Sequence, residues 1–94
     1  MSDEVRVVDN PAEHRYEVYL GEERAGFVTY RLERNHITFV HTEVDDRFEG
    51  HGLAHRLAHE ALTDVRVRWL RVIAQCPFIK RYIAEHPEYQ DLLA

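Results

Sequence analysis

The chain has 94 residues, enough for one compact domain and too few for two. Its formal net charge is −5, its basic residues form no run, and Lys80 is the only lysine, so nucleic acid is a poor partner, because phosphate contacts supply most of that affinity. Hydrophobic residues make up 45% of the chain and charged residues 31%, the composition of a globular fold with a small core and a heavily solvated surface.

Cys76 is the one cysteine, which excludes an intrachain disulfide framework and fits a reducing, cytoplasmic setting. The opening Met-Ser-Asp-Glu is acidic and polar, unlike a signal peptide. No apolar run reaches the ~18 residues needed to cross a bilayer, so no membrane role is expected. A domain of this size has little stability to spare, and both a monomer and a homodimer are open.

Taken in chain order, Val5 to Val8 is a short β-branched run closed by Asp9-Asn10-Pro11. Arg15 to Leu20 alternates, with Tyr16, Val18 and Leu20 on one face. After a turn at Gly21-Glu22-Glu23, Ala25 to Leu32 reads as a third strand, and after Glu33-Arg34-Asn35 the span His36 to Val44 reads as the fourth and longest. Short turns between the four imply an antiparallel meander. The period then changes: Leu53, Ala54, Leu57, Ala58, Ala61, Leu62 and Val65 make an unbroken helical stripe. Trp69 to Ala74 reads as a fifth strand, placed parallel to the fourth by the intervening helix. Pro77 suits a first helical turn, Phe78 to Glu85 continues it, Pro87 stops it, and Tyr89 to Leu93 packs as a tail. The fold class expected is α/β (α+β), a five-stranded mixed, mostly antiparallel sheet with two main helices, all in one domain over residues 1–94.

The join Val44-Asp-Asp-Arg-Phe-Glu-Gly-His-Gly-Leu53 carries the chemistry. A glycine-rich strand-to-helix turn presents backbone N–H groups at the positive end of a helix, a seat for phosphate or pyrophosphate. The turn lacks the Gly-Lys-Ser/Thr of a P-loop, and His55 stands where a dinucleotide fingerprint needs its third glycine. The plainer alternative is a tight connection with no ligand.

Arg47-x-x-Gly50-x-Gly52-Leu53 resembles the acetyl-CoA signature Gln/Arg-x-x-Gly-x-Gly/Ala of the GNAT superfamily, the GCN5-related N-acetyltransferases. His41-Thr42-Glu43-Val44, Cys76-Pro77-Phe78 and His86-Pro87-Glu88-Tyr89 are similar to its short stand-alone branch of predicted acetyltransferases. The resemblance covers His36 to the C-terminus; the first three strands match by pattern only. It implies that acetyl-CoA is the cofactor and a primary amine the acceptor. It also implies that Arg47, Phe48, Glu49, Gly50, His51, Gly52, Leu53 and Ala54 cradle the pyrophosphate. Glu43 and Val44 would meet the pantetheine arm where the fourth and fifth strands splay, Cys76 would lie near the thioester, and Lys80 and Arg81 would reach the adenosine phosphates.

Three residues are candidates for catalysis. Cys76 follows the fifth strand and precedes a helix, as a thiol nucleophile or proton relay would, with His41 nearby; the alternative is a small buried hydrophobe. His41 and Glu43, two apart on one strand, suit a base that takes the amine proton. Larger members of the family place a tyrosine general acid on the helix after the fifth strand, where this chain has Ile83, with Tyr82 offset by one. They also carry helices between the first two strands that shape the acceptor pocket, and this chain has none. A non-catalytic CoA or acyl-CoA binding module is therefore the second reading. His51, His55 and His59 share a helical spacing that can hold a metal, but they fall outside the apolar stripe, and a solvated face without metal is expected. The aromatics, Trp69 among them, are read as core and rim packing.

Overall fold

In a computed structural model describing residues 4–94, the β-branched and aromatic segments form one sheet with the strands in sequence order. They are β1 (Val5–Asn10), β2 (Arg15–Leu20), β3 (Glu23–Glu33), β4 (His36–Val44) and β5 (Arg71–Ala74). The first four are antiparallel neighbours, and β5 lies parallel to β4. Helix α1 (Leu53–Val67) makes the β4–β5 crossover, and α2 (Pro77–Glu85) follows β5. A 3-10 segment, Pro87–Leu92, closes the described chain.

The α1 stripe sets its packing. Leu53, Leu57, Ala58, Ala61, Leu62 and Val65 are buried, and the helix lies against all five strands. The strands answer with Tyr16, Val18, Val28, Tyr30, Ile37, Phe39 and Val72, and α2 adds Ile79 and Ile83 to the same core. Both helices share one face of the sheet and touch each other. Two buried phenols fasten the edges of that face: Tyr16 donates to Asp64 of α1 and Tyr30 to Asp9 of β1, with Arg68 bridging both carboxylates. Burial, reinforced by these acceptors, pushes both phenol pKa values well above the ordinary range.

Three departures from simple alternation matter. Glu17 points to the opposite face, yet is 3% exposed. It accepts from Asn10 Nδ2 (3.1 Å), Arg15 Nε (2.6 Å) and Tyr19 Oη (3.0 Å). Burial alone raises its pKa, but these donors outweigh burial and hold it below the usual carboxylate value. The second departure is in β4. Thr29 pairs with His41 and Tyr30 with Phe39, so Val40 is a bulge with no partner on β3. The bulge reverses the parity of everything after it. The third is Trp69, read above as strand and packing, which is 90% exposed. Its φ of 60° is left-handed, so the turn out of α1 throws the indole outward, and β5 starts only at Arg71.

Candidate functional site

The β4–β5 ladder is short because Cys76-Pro77 ends it. The last rung pairs Phe39 with Ala74, and the Phe39 carbonyl then accepts from both Gln75 N (3.0 Å) and Cys76 N (2.9 Å). Pro77 has no N–H to continue the ladder and instead opens α2, with Cys76 as the extended residue before it. β4 runs on for five more residues, Val40 to Val44, without a β5 partner. The two strands therefore part, and one edge of β4 lines a cleft.

Cys76 sits at the crotch of that cleft, 2% exposed. Its Sγ lies 3.0 Å from Thr42 Oγ1. The sequence puts His41 near this thiol, but the Val40 bulge turns Thr42 to the helix face and sends His41 and Glu43 to the other. There His41 pairs with Thr29, its ring 6.5 Å from that of Phe27, and Glu43 pairs with Phe27. Beside Glu43 a hollow of about 360 Å³ is lined by Arg24, Gly26, Phe27, Asp45 and Asp46.

The β4–α1 connection divides in two. In its first half the amides expected to cradle pyrophosphate are already satisfied. Asp45 Oδ1 accepts from Arg47 N (2.9 Å), the Asp45 carbonyl from Phe48 N (2.9 Å), and the Asp46 carbonyl from Glu49 N (3.2 Å). Arg47, Phe48 and Glu49, expected as backbone donors to pyrophosphate, thus have internal acceptors in this structure, Arg47 because an aspartate at the start of a turn claims the N–H two residues on. The Arg47 guanidinium is also engaged, by Asp45 (3.2 Å) and Glu23 (3.5 Å), and lies over the Phe48 ring. The hydrogen bonds from the Arg47 amide and then its guanidinium hold the Asp45 carboxyl below its usual range.

The second half is open. Gly50 (φ +86°) and Gly52 (φ +67°) both take left-handed backbone, and a Cβ on either meets nothing within 4 Å. Glycine is thus needed for the dihedral, and the space above it is free. α1 begins at Leu53 with no side-chain cap, and its first internal bond is Arg56 N to Gly52 O (3.1 Å). The amides of Leu53, Ala54 and His55 therefore have no acceptor within the helix, at the end where the dipole is positive. Among the described residues no acceptor takes the backbone N–H groups of Gly50 to Ala54, and His51 between the glycines is exposed. The residues fit a diphosphate and an extended amide-bearing chain: successive donors without acceptors, glycines that admit close approach, and an unpaired strand edge.

Lys80 and Arg81 separate on the structure. Adjacent helical residues lie ~100° apart, and Lys80 turns to a groove beside β5 with Ile73, Ala74 and Leu93. Arg81 is exposed on the outer side of α2. Ile83 is core, and Tyr82 stacks on His86 with centroids 3.9 Å apart. His55 and His59 are exposed, as expected of a solvated face, and each also makes a contact to the C-terminal elements. His55 meets Phe78 (5.6 Å) and Tyr82 (5.9 Å), and His59 Nδ1 bonds Tyr89 Oη (2.6 Å), so both join α1 to the C-terminal elements. Among the described residues no three His, Cys, Asp or Glu side chains are grouped to hold a metal.

The model of the GCN5-related N-acetyltransferase family matches residues 15–92. The chain belongs to that family. A GCN5-like protein of Staphylococcus aureus, solved by NMR and described as a candidate N-acetyltransferase, superposes with a TM-score of 0.75 at 27% identity, covering 100% of this chain and 91% of that one. The protein named NATD1 of Xenopus tropicalis is 30% identical over 93 residues, 97% of this chain and 85% of the relative. Mouse NATD1 is 30% identical over 90 residues, 94% and 82% respectively. The five-stranded sheet with two helices is thus the GNAT fold, and no helix among the described residues is long and apolar enough to cross a membrane. Sequence reasoning passed over Thr42, the Val40 bulge and the Asp45 cap. Only the last left a signal, an aspartate two residues ahead of Arg47.

Proposed function

We propose that this GNAT domain is an acetyl-CoA-dependent N-acetyltransferase acting on a primary amine. One observation carries the reading: the amides from Gly50 to Ala54 have no acceptor among the described residues, and β4 keeps one edge without a strand partner beyond Phe39. Those amides would hold the diphosphate, and the free edge at Glu43 and Val44 would pair with the pantetheine amides. When bound, acetyl-CoA supplies an acyl group activated as a thioester.

The chain's own residues then divide between the two faces of β4. On the face without helices, His41 and Glu43 present a ring nitrogen and a carboxylate to an approaching amine, and either can take the proton that the amine must lose to become nucleophilic. On the helix face, Cys76 Sγ and Thr42 Oγ1 form a hydroxyl–thiol pair at the cleft floor, positioned to hold a proton on the thioester side. Backbone donors at the cleft stabilise charge developing on the carbonyl oxygen.

A second reading, a non-catalytic CoA-binding module, draws support from α2, where core Ile83 stands at the position of the larger enzymes' tyrosine and the Tyr82 ring is stacked on His86. One experiment separates the two. Acetyl-CoA is incubated with a panel of primary amines and free CoA is followed, for the wild type, Glu43→Gln and Cys76→Ala. The enzyme reading expects amine-dependent CoA release that falls at least tenfold in Glu43→Gln while CoA affinity stays within about twofold. Tight CoA binding with no release on any amine favours the module.

A further inference from the structure

Arg47 is the only lysine or arginine between Val44 and Leu53, a stretch that carries three carboxylates, Asp45, Asp46 and Glu49. A polyanion approaching the amides of residues 50–54 therefore has one nearby guanidinium in sequence to draw on, and that guanidinium is taken. Nε lies 3.3 Å from Asp45 Oδ1, Nη2 lies 3.2 Å from Asp45 Oδ2, and Nη1 lies 3.5 Å from Glu23 Oε2. The pairing with Asp45 is two-pronged, the geometry with which arginine otherwise takes a phosphate. The Phe48 ring covers one face of the guanidinium, its centroid 5.1 Å from the central carbon. Each guanidinium nitrogen thus faces a carboxylate oxygen of this same chain. Both carboxylates are anchored: Glu23 opens β3, and the N–H of Asp45, just past β4, donates to the Ala25 carbonyl of β3 (2.7 Å).

We propose that Asp45 and Glu23 form an autoinhibitory latch on Arg47: in the free protein they occupy the guanidinium that the CoA diphosphate would use, and the ligand has to displace them. The proposal rests on the reading above that residues 50–54 seat the diphosphate. Arg47 and Gly50 are three residues apart, at most ~11 Å even in extended chain, so the long arginine side chain, once released, can turn to an anion at the glycines. The latch is weak enough to open. Its side chains are exposed, 65% for Arg47, 40% for Asp45 and 63% for Glu23, and exposed ion pairs contribute little. A diphosphate oxygen pair in the same fork replaces the lost pairing. The turn itself is not disturbed. Arg47 N donates to Asp45 Oδ1 (2.9 Å) through the backbone, so opening the latch moves a side chain and leaves the cap in place. What the latch does is hold affinity down, and removing an exposed competing pair is worth about threefold to fivefold.

CoA is titrated calorimetrically into the full chain at about 150 mM salt, which screens exposed charges beyond ~8 Å. Asp45→Asn keeps a side-chain oxygen for the Arg47 amide and removes the charge from the guanidinium. Asp46→Asn makes the same change in net charge one residue on, where no ion pair with Arg47 exists among the described residues. The expected result is CoA affinity about threefold to fivefold higher in Asp45→Asn than in the wild type, and about twofold or more above that of Asp46→Asn. In an Arg47→Gln background the two substitutions should become equal. If circular dichroism shows Asp45→Asn unfolded, Glu23→Gln removes the other arm of the latch and takes its place in the comparison. The Arg47 Nε–Hε resonance gives a second readout: it should shift when CoA is added to the wild type, and stand shifted already in free Asp45→Asn. Equal affinities for Asp45→Asn and Asp46→Asn overturn the latch and leave the CoA reading standing. A gain from Asp45→Asn that persists without Arg47 overturns it too. No CoA uptake by any of these proteins at millimolar ligand overturns both.

Discussion

Replacing Gly52 by alanine separates the backbone role of the turn from its ligand role. Gly52 holds φ +67°, and an added Cβ meets no protein atom within 4 Å. The structural penalty is therefore only that of an L-residue in left-handed backbone, about 1–2 kcal/mol. For a domain this size that corresponds to a fall in Tm of roughly 5–15 °C, since each kcal/mol moves Tm by about 4–8 °C. The fold survives. Gly21, in the β2–β3 turn, has φ +61° and lies outside residues 50–54, so Gly21→Ala carries a left-handed-backbone penalty of the same kind and serves as the control. The variants part in CoA affinity. The new methyl group at Gly52 stands where a diphosphate must approach the amides, and an expected loss of at least tenfold corresponds to about 1.4 kcal/mol. Thermal melts and calorimetric titration with CoA read the two effects independently. CoA affinity within twofold of wild type for Gly52→Ala, or an equal loss for Gly21→Ala, would refute the assignment of residues 50–54.

Gly26→Ala should be harsher, because its Cβ would lie 2.6 Å from the Glu43 carbonyl oxygen, a backbone atom that cannot step aside. The expected loss is about 2–3 kcal/mol in urea unfolding, accompanied by weaker CoA binding as the Glu43–Val44 edge shifts; a loss below about 0.5 kcal/mol would contradict the close approach of β3 and β4. Glu17 predicts a pH effect. Its folded pKa is depressed, so its stabilisation is complete above the unfolded value near 4.3 and fades as pH falls through the lower folded value. Glu17→Gln should cost about 1–3 kcal/mol at pH 7, and the gap between the two proteins should narrow below pH 4 in denaturant titrations; a gap that stays constant with pH would show the carboxylate charge to be irrelevant.

The elements with strong periodicity were readable from the residues alone. The α1 stripe from Leu53 to Val65, the alternation from Arg15 to Leu20, and Pro77 as a helix opener all stand where pattern and propensity agree. What escaped the pattern has local causes. A bulge carries no mark in composition, so the reversal at Val40, which exchanges Thr42 for His41 beside Cys76, follows only from the pairing of Thr29 and Tyr30 across β3. Glu17 looks like a solvent residue in an alternating strand, and only its three donors explain its burial. Trp69 belongs by residue type to a strand, but the left-handed turn out of α1 overrides that preference. In the signature turn, the glycines gave the open half, while the first half was lost to Asp45, whose side chain and carbonyl compete for the amides a ligand would need.

The most direct test of the role given to residues 50–54 is an amide-resolved titration. In ¹⁵N–¹H spectra of the full chain with increasing CoA, the account predicts the largest shifts at Gly50, His51, Gly52, Leu53 and Ala54, with a second set along Val40 to Val44. The amides of Arg47, Phe48 and Glu49, already bonded to Asp45 and Asp46, should move less. Spectra unchanged at millimolar CoA, or shifts confined to other parts of the chain, would contradict it.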